Sequence, residues 1–265
     1  KLSMYINCHS QYSFKYGTMQ TSDLLDESEK LGVQQLALTD INSTSGSLYF
    51  AMEAKKRGIN PCLGVDFRVG NKQKFIAIAQ NNLGFENINL YLSSILESRA
   101  ILDSKAPSDL LQHAFIIYPL EKAPRQLQPK EFVGIRPHQL FVYQKMEYLW
   151  PKQKCLALNT VSFGNKRDFN THRLLRAIDC NTLLSKLANE EQGKIEHRFY
   201  SQTELQRHYK SHTHLLENTT RLLQNCQLNF DFDGKSQNMA TFSQSEEDDF
   251  ALLKHLAYEG IAYRF

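Results

Sequence analysis

The stretch "INCHSQYSFKYG" at residues 6–17 sets Asn7 and His9 two positions apart at the end of a short apolar run. In an extended strand those two side chains share one face, and an imidazole there is a potential metal ligand or proton carrier. Three other apolar runs end in polar residues of similar kind. "QQLALTDIN" supplies Thr39, Asp40, Ile41 and Asn42, "PCLGVDFRV" supplies Asp66, and "CLALNTVSF" supplies Asn159, Thr160 and Ser162. A hydrolytic metal centre requires three or four protein ligands for each ion and an open position for water. His9, Asp40 and Asp66 are the residues of ligand type at these strand ends: enough to hold one ion weakly, too few for a cluster. A ligating histidine needs partners, so for His9 alone a hydrogen-bonded role weighs more than ligation. For Asp40 and Asp66 the competing role is acceptance of backbone hydrogen bonds.

The elements that must position these residues follow from an alternation of β-rich runs with helical patterns. Runs at 4–9, 33–40, 61–69, 74–80, 113–119, 131–135 and 154–163 read as strands. Amphipathic stretches at 22–32, 45–58, 85–98 and 168–178 read as helices between or after them. This βαβ rhythm predicts parallel strands with outer helices, an α/β barrel whose functional groups gather where the strands end. Ser22 is the expected cap of the first helix, and Gly32 and Gly58 are the expected terminators of theirs. Helical patterns at 202–211 and 214–226 trail the strands, an irregular segment follows over 227–249, and a last helix occupies 250–265. Ser245 with Asp248 three residues later has the form of a helix-starting cap. The last helix has no terminating signal of its own, which suggests a fragment cut ahead of a further domain.

The bulk numbers narrow the function classes. A 265-residue chain that is 42% hydrophobic can bury one large core. The 31 basic and 28 acidic side chains leave a formal charge of only +3, so any nucleic-acid contact has to be local. Five scattered cysteines without a CxxC pair argue against a zinc knuckle or a disulfide scaffold and suit a reducing cytoplasm. No apolar run approaches the ~20 residues of a membrane span. Neither a GxGxxG after the first strand nor a GxxxxGK[ST] is present, so phosphate cradling by a glycine loop is not supported. In "NKRDFNTHRLLRAI", Lys166, Arg167, Arg173 and Arg176 are candidates for phosphate or partner contact. The competing expectation is a solvated face, with Arg173 and Arg176 opposite an inward Leu174 and Ile178. Tyr12, Phe14 and Tyr16 alternate and are expected to pack over the mouth of the barrel.

These motifs resemble a known family. "INCHSQYSFKYG" resembles the opening motif of the polymerase and histidinol phosphatase (PHP) domain, a His-x-His-Ser strand end followed by Ser and Asp-Gly. "LALTDINSTSG" is similar to its Thr-Asp-His-Gly motif and "INPCLGVDFRV" to its Gly-x-Glu-Phe. The order and the connecting segments, "FIAIAQNNLGFENINLYLS", "CLALNTVSF" and "NKRDFNTHRLLRAIDCNTLL", resemble the branch found at the N-terminus of bacterial DNA polymerase III α subunits. The resemblance implies a distorted seven-stranded TIM-like barrel. It also implies a division into a barrel with trailing helices over 1–230 and, over 231–265, a connector and first helix leading to a polymerase palm.

Carried over position by position, most family ligands are replaced. The first histidine falls at Asn7, the second at His9, the aspartate before Gly17 at Tyr16, and the second-motif histidine at Ile41. The glutamate falls at Asp66, the next histidine at about Lys74, and the final aspartate and histidine at Thr160 and Ser162. The expectation is therefore a vestigial site without catalytic residues and no cofactor in this domain, with zinc or manganese at a residual site as the alternative. Magnesium would belong to the polymerase domain. Asn7, Thr160 and Ser162 are expected to satisfy one another, and Lys74 to point inward and pair with Asp66 or Asp40 in place of a metal's charge. The partners implied by the resemblance are the palm and thumb of the same parent chain, the proofreading exonuclease subunit, and DNA through the holoenzyme. The rival expectation is an active metal-dependent phosphoesterase or 3′–5′ exonuclease using His9, Asp40 and Asp66.

Overall fold

A computed structural model of the chain describes residues 5–98, 102–103, 105–232 and 241–264. It divides into two compact units, Lys1–Phe230 and Asp231–Phe265. In the first unit the elements run β1 (Tyr5–Cys8), α1 (Thr21–Lys30), β2 (Gln35–Ile41), α2 (Ser47–Lys56), β3 (Asn60–Val69) and β4 (Lys72–Ala79). They continue with α3 (Asn82–Ser98), β5 (Ala114–Pro119), β6 (Glu131–Ile135), α4 (Leu140–Met146), β7 (Cys155–Ala157) and β8 (Thr160–Val161). Three helices complete this unit: α5 (Lys166–Asp179), α6 (Gln202–His208) and α7 (Thr213–Gln224). The second unit contains α8 (Glu246–Arg264).

The strands form one sheet in the order β7-β6-β5-β4-β3-β2-β1-β8. Its two ends are consecutive in the chain, because only Leu158 and Asn159 separate β7 from β8. β7 pairs with β6, and the Leu158 amide extends that ladder to the Ile135 carbonyl at 2.9 Å. β8 pairs with β1, through Asn7 opposite Thr160. β7 and β8 are thus two halves of one interrupted strand, and the sheet returns on itself as the distorted seven-stranded α/β barrel that the family resemblance implies.

One expectation about direction needs correction. The alternation predicted parallel strands throughout, whereas β4 runs antiparallel to both β3 and β5. The cause is length: only Gly70 and Asn71 separate β3 from β4, enough for a hairpin and far short of the dozen residues that a parallel crossover requires. Gly70 takes φ of 56° at that turn, where glycine is favoured.

The barrel core is apolar, from Ile6, Ala37, Cys62, Ile76, Ile78, Ile117, Leu156 and Leu158. Leu222, Leu223 and Cys226, at and just beyond the end of α7, close one end of it. α7 is also tied to the interrupted strand by polar contacts. Thr219 Oγ1 accepts from the Ala157 amide at 2.9 Å, and Asn218 Nδ2 donates to the Cys155 carbonyl at 2.9 Å. Gly32 and Gly58 stand just past their helices with φ of 65° and 69°, as expected. Ser22 does not cap α1; Gln20 does, its amide donating to Asp23 Oδ2 at 3.1 Å. In the second unit the Asp248 amide donates to Ser245 Oγ at 3.1 Å, the expected cap of α8.

Candidate functional site at the barrel mouth

β1 ends at Cys8, but its backbone continues the ladder for one step, the His9 amide donating to the Val161 carbonyl at 2.8 Å. This holds the His9 ring inside the barrel beside the ends of β3 and β8. The following loop folds back tightly. A Cβ on Gly17 would lie 1.8 Å from the Ser10 carbonyl oxygen, so only glycine fits there. Asp40 organises this loop: its Oδ1 accepts from the Ser10 amide at 2.6 Å and Ser13 Oγ at 2.7 Å, and its Oδ2 accepts from Ser10 Oγ at 2.7 Å. Burial pushes the Asp40 carboxyl up against these hydrogen bonds. Both Asp40 oxygens are thus engaged by the loop, the hydrogen-bonding role that competes with ligation at this strand end. Ile41 is half-buried, its amide donating to Ser13 Oγ at 3.0 Å.

Two buried polar chains cross the barrel. In the first, Thr39 Oγ1 donates to Asn7 Oδ1 at 2.9 Å and Asn7 Nδ2 donates to Thr160 Oγ1 at 3.0 Å. In the second, His9 Nδ1 meets Ser162 Oγ at 2.8 Å and His9 Nε2 meets Asp66 Oδ2 at 3.0 Å. The same Asp66 oxygen accepts from Arg68 Nε at 3.0 Å and Nη2 at 2.6 Å. Both side chains of that pair are buried, Asp66 fully and Arg68 to 6% exposure. Burial alone would raise the Asp66 carboxyl; the Arg68 charge and the His9 hydrogen bond outweigh it and hold the group well below the usual carboxylate range. Burial holds His9 below its ordinary value, with Arg68 adding to the effect.

Lys74 does not play the predicted part. Arg68 supplies the positive charge at Asp66, and no ion pair of Lys74 occurs among the described residues. The reason is a bulge: Phe67 lies opposite Phe75 and Arg68 opposite Gln73, so Lys74 is the extra residue on β4. Gln73 reaches the mouth in its place and accepts a hydrogen bond from Arg136 Nη2. Arg68 was legible in principle, because two residues along a strand from Asp66 it shares that aspartate's face in an otherwise apolar run.

Tyr16 fills the space beside this pair. The Arg68 guanidinium sits 4.9 Å from its ring centre, and the His9 and His172 rings meet it edge-on. The α5 residues that hold it reverse the predicted face. His172 and Arg176 are buried while Leu174 and Ile178 are 50% and 68% exposed. His172 Nδ1 binds the Tyr16 carbonyl at 2.8 Å, and its Nε2 accepts from the Gly193 amide at 2.8 Å. Arg176 pairs with Asp179 at 2.6 Å and Glu191 at 3.2 Å, and Arg173 Nε donates to Gln192 at 2.9 Å. Glu191, Gln192 and Gly193 lie 15, 19 and 21 residues downstream of their partners, in a segment without periodicity, so the face they select was not visible in the helix pattern. Lys166 and Arg167 are exposed. Of the alternating aromatics, Tyr16 alone is buried; Phe14 is 82% exposed.

The mouth opens into a cavity of about 290 Å³ walled by Tyr16, Thr160, Gln73 and a set of basic side chains. Arg136, His197 and Lys194 belong to it and were not singled out from the sequence. Among the described residues, no three of His, Cys, Asp and Glu converge as a metal-holding group. The donor set at the mouth does not fit a metal cluster. Both His9 nitrogens are engaged, one Asp66 oxygen is shared by His9 and an arginine, and the remaining polar groups are amides and hydroxyls.

The PHP domain model matches residues 6–117. The DNA polymerase III subunit alpha of Borreliella burgdorferi is 32% identical over 106 residues, 35% of this chain and 9% of that protein. The Bacillus subtilis subunit is 31% identical over 103 residues, 37% of this chain and 9% of its own length. The chain thus spans less than a tenth of these relatives. A solved structure from Bifidobacterium adolescentis, named among the metal-dependent phosphoesterases, covers 79% of this chain and 96% of its own at 11% identity and a TM-score of 0.35.

Proposed function

We propose that this chain, which carries a PHP domain over residues 6–117, is the PHP portion of a bacterial replicative DNA polymerase III α subunit in which the metal cluster has been given up. Its work on this reading is structural: it braces the polymerase core and offers a docking surface, with the proofreading exonuclease subunit as the partner.

One observation carries the loss of metal: Arg68 occupies Asp66. A guanidinium held at 2.6 Å from the carboxylate puts a fixed positive charge where an ion would need to approach. A bound cation would have to displace that contact and leave Arg68 buried without its counter-charge, which is strongly unfavourable. Ser162 in place of a ligand supports the same reading, because it engages the second His9 nitrogen. The active-phosphoesterase reading has one point in its favour, the Asp66 Oδ1 atom, which is buried without a hydrogen-bond partner among the described residues. A single oxygen beside an arginine does not make an ion site.

The test is metal analysis of protein purified without chelator, paired with a nuclease assay in manganese. The expected result is substoichiometric metal and no manganese-dependent cleavage. Stoichiometric zinc or manganese together with cleavage abolished in His9→Ala would overturn the proposal. The docking role is tested by co-purification with the exonuclease subunit of the same organism.

A further inference from the structure

The basic side chains around the mouth do more than neutralise Asp66. The mouth cavity is walled by Arg68, Lys72, Lys122, Arg136 and Lys194, with Glu121 the carboxylate among its lining residues. Arg136 is anchored rather than waving in solvent, its side chain 15% exposed. It binds Gln73 and stands 3.5 Å from Glu121. That one carboxylate does not balance the wall, and Arg68 spends its charge on Asp66 behind it. Gln73 gives its oxygen to Arg136, and its Nε2 is buried with no accessible surface, so this amide braces Arg136 rather than facing the cavity. The positive field is felt by its neighbours: burial and then the charges of Arg136 and Arg68 hold His197 well below its usual value, and Lys194 and Arg136 add to the effect of burial at His138.

The geometry points to a metal-independent anion site, in which Arg136 and Lys194 receive a phosphate-class dianion at the barrel mouth. A polarity inversion has occurred: a pocket of the type that takes cations presents cations of its own. A dianion matches the wall better than a carboxylate, because a single negative charge would leave most of the excess uncompensated. An arginine fork and a lysine ammonium satisfy several oxygens of one phosphate at once. The volume of about 290 Å³ accommodates a phosphate with part of whatever it is attached to.

This inference rests on the reading that no metal cluster occupies the mouth, and the experiment separates the two. Inorganic phosphate is titrated into the 265-residue chain in EDTA, and again after zinc or manganese is added, by calorimetry and by phosphorus NMR, with acetate as the monoanion control. The expected result is saturable phosphate binding in EDTA, unchanged by metal, stronger than acetate, and weakened about ten- to a hundredfold in Arg136→Ala. Lys194→Ala, at an exposed position that leaves the fold intact, is expected to weaken it by roughly tenfold. Binding that needs added metal would overturn both this inference and the loss of the cluster. No saturable phosphate binding with or without metal, or binding indifferent to Arg136→Ala and Lys194→Ala alike, would overturn this inference alone.

Discussion

His172 illustrates how a single buried side chain ties the mouth together. Its two ring nitrogens join the Tyr16 carbonyl on one side and the Gly193 amide on the other, so it clamps the loop after β1 to the segment after α5. The Gly193 N–H donates to Nε2, which requires the neutral ring, and burial brings its pKa down to about 4. The sign follows from the proton balance. Between the ordinary histidine value near 6.5 and about 4, the unfolded chain binds a proton that the folded chain refuses. His172 therefore contributes its stability fully above about pH 6.5 and loses it as pH falls toward 4. His9 and His197, also depressed, act in the same direction; Asp40, raised by burial, acts in the opposite one. Urea unfolding at pH 7 and pH 5 measures this. The wild type is expected to lose more stability on acidification than His172→Gln, by about 2 kcal/mol. Equal losses in the two proteins would contradict the clamp's neutral state.

At the level of elements, the interrupted strand depends on α7. β7 has β6 on one side along its short ladder, and Thr219 and Asn218 supply hydrogen bonds to Ala157 and Cys155 that the break leaves short. Replacing Thr219 by the isosteric valine keeps the packing and removes the acceptor of the Ala157 amide. The expected cost is about 1–3 kcal/mol, read as a lower urea midpoint with an unchanged slope. The strands and every helix except the seven-residue α4 were legible in the sequence because each has its own period, apolar runs for buried strands and spaced apolar residues for helices. The antiparallel β4 was legible too, in the short gap before it, but the βαβ rhythm overrode that signal. Lys74 and the α5 face failed for another reason. A one-residue bulge and a buried arginine bound to distant loop residues leave no trace in local periodicity, so the polar side chain that enters the barrel is selected by register and tertiary partners. The same holds for Arg136 and His197, which come from loops without periodicity and meet only at the mouth.

At the scale of the whole chain, the core belongs to the first unit. Every residue of the buried apolar cluster falls between Ile6 and Cys226. α8 in the second unit has no buried residue and carries apolar side chains on all faces, including Phe250, Leu253, Leu256, Tyr258 and Ile261. A helix that is apolar all round is a helix adapted to burial, and one left open in water is a site for association. Two outcomes follow for a chain ended after Phe230. Its thermal midpoint is expected to stay within about 2–4 °C of the full chain, because the core is untouched and a shift of that size corresponds to roughly 1 kcal/mol in a domain of this length. Light scattering coupled to size exclusion is expected to show the shorter chain monomeric at concentrations where the full chain self-associates. A large fall in the midpoint would mean that residues beyond Phe230 complete the barrel's core. A full chain that stays monomeric at every concentration tested would mean that α8 meets its need for burial by packing within its own molecule.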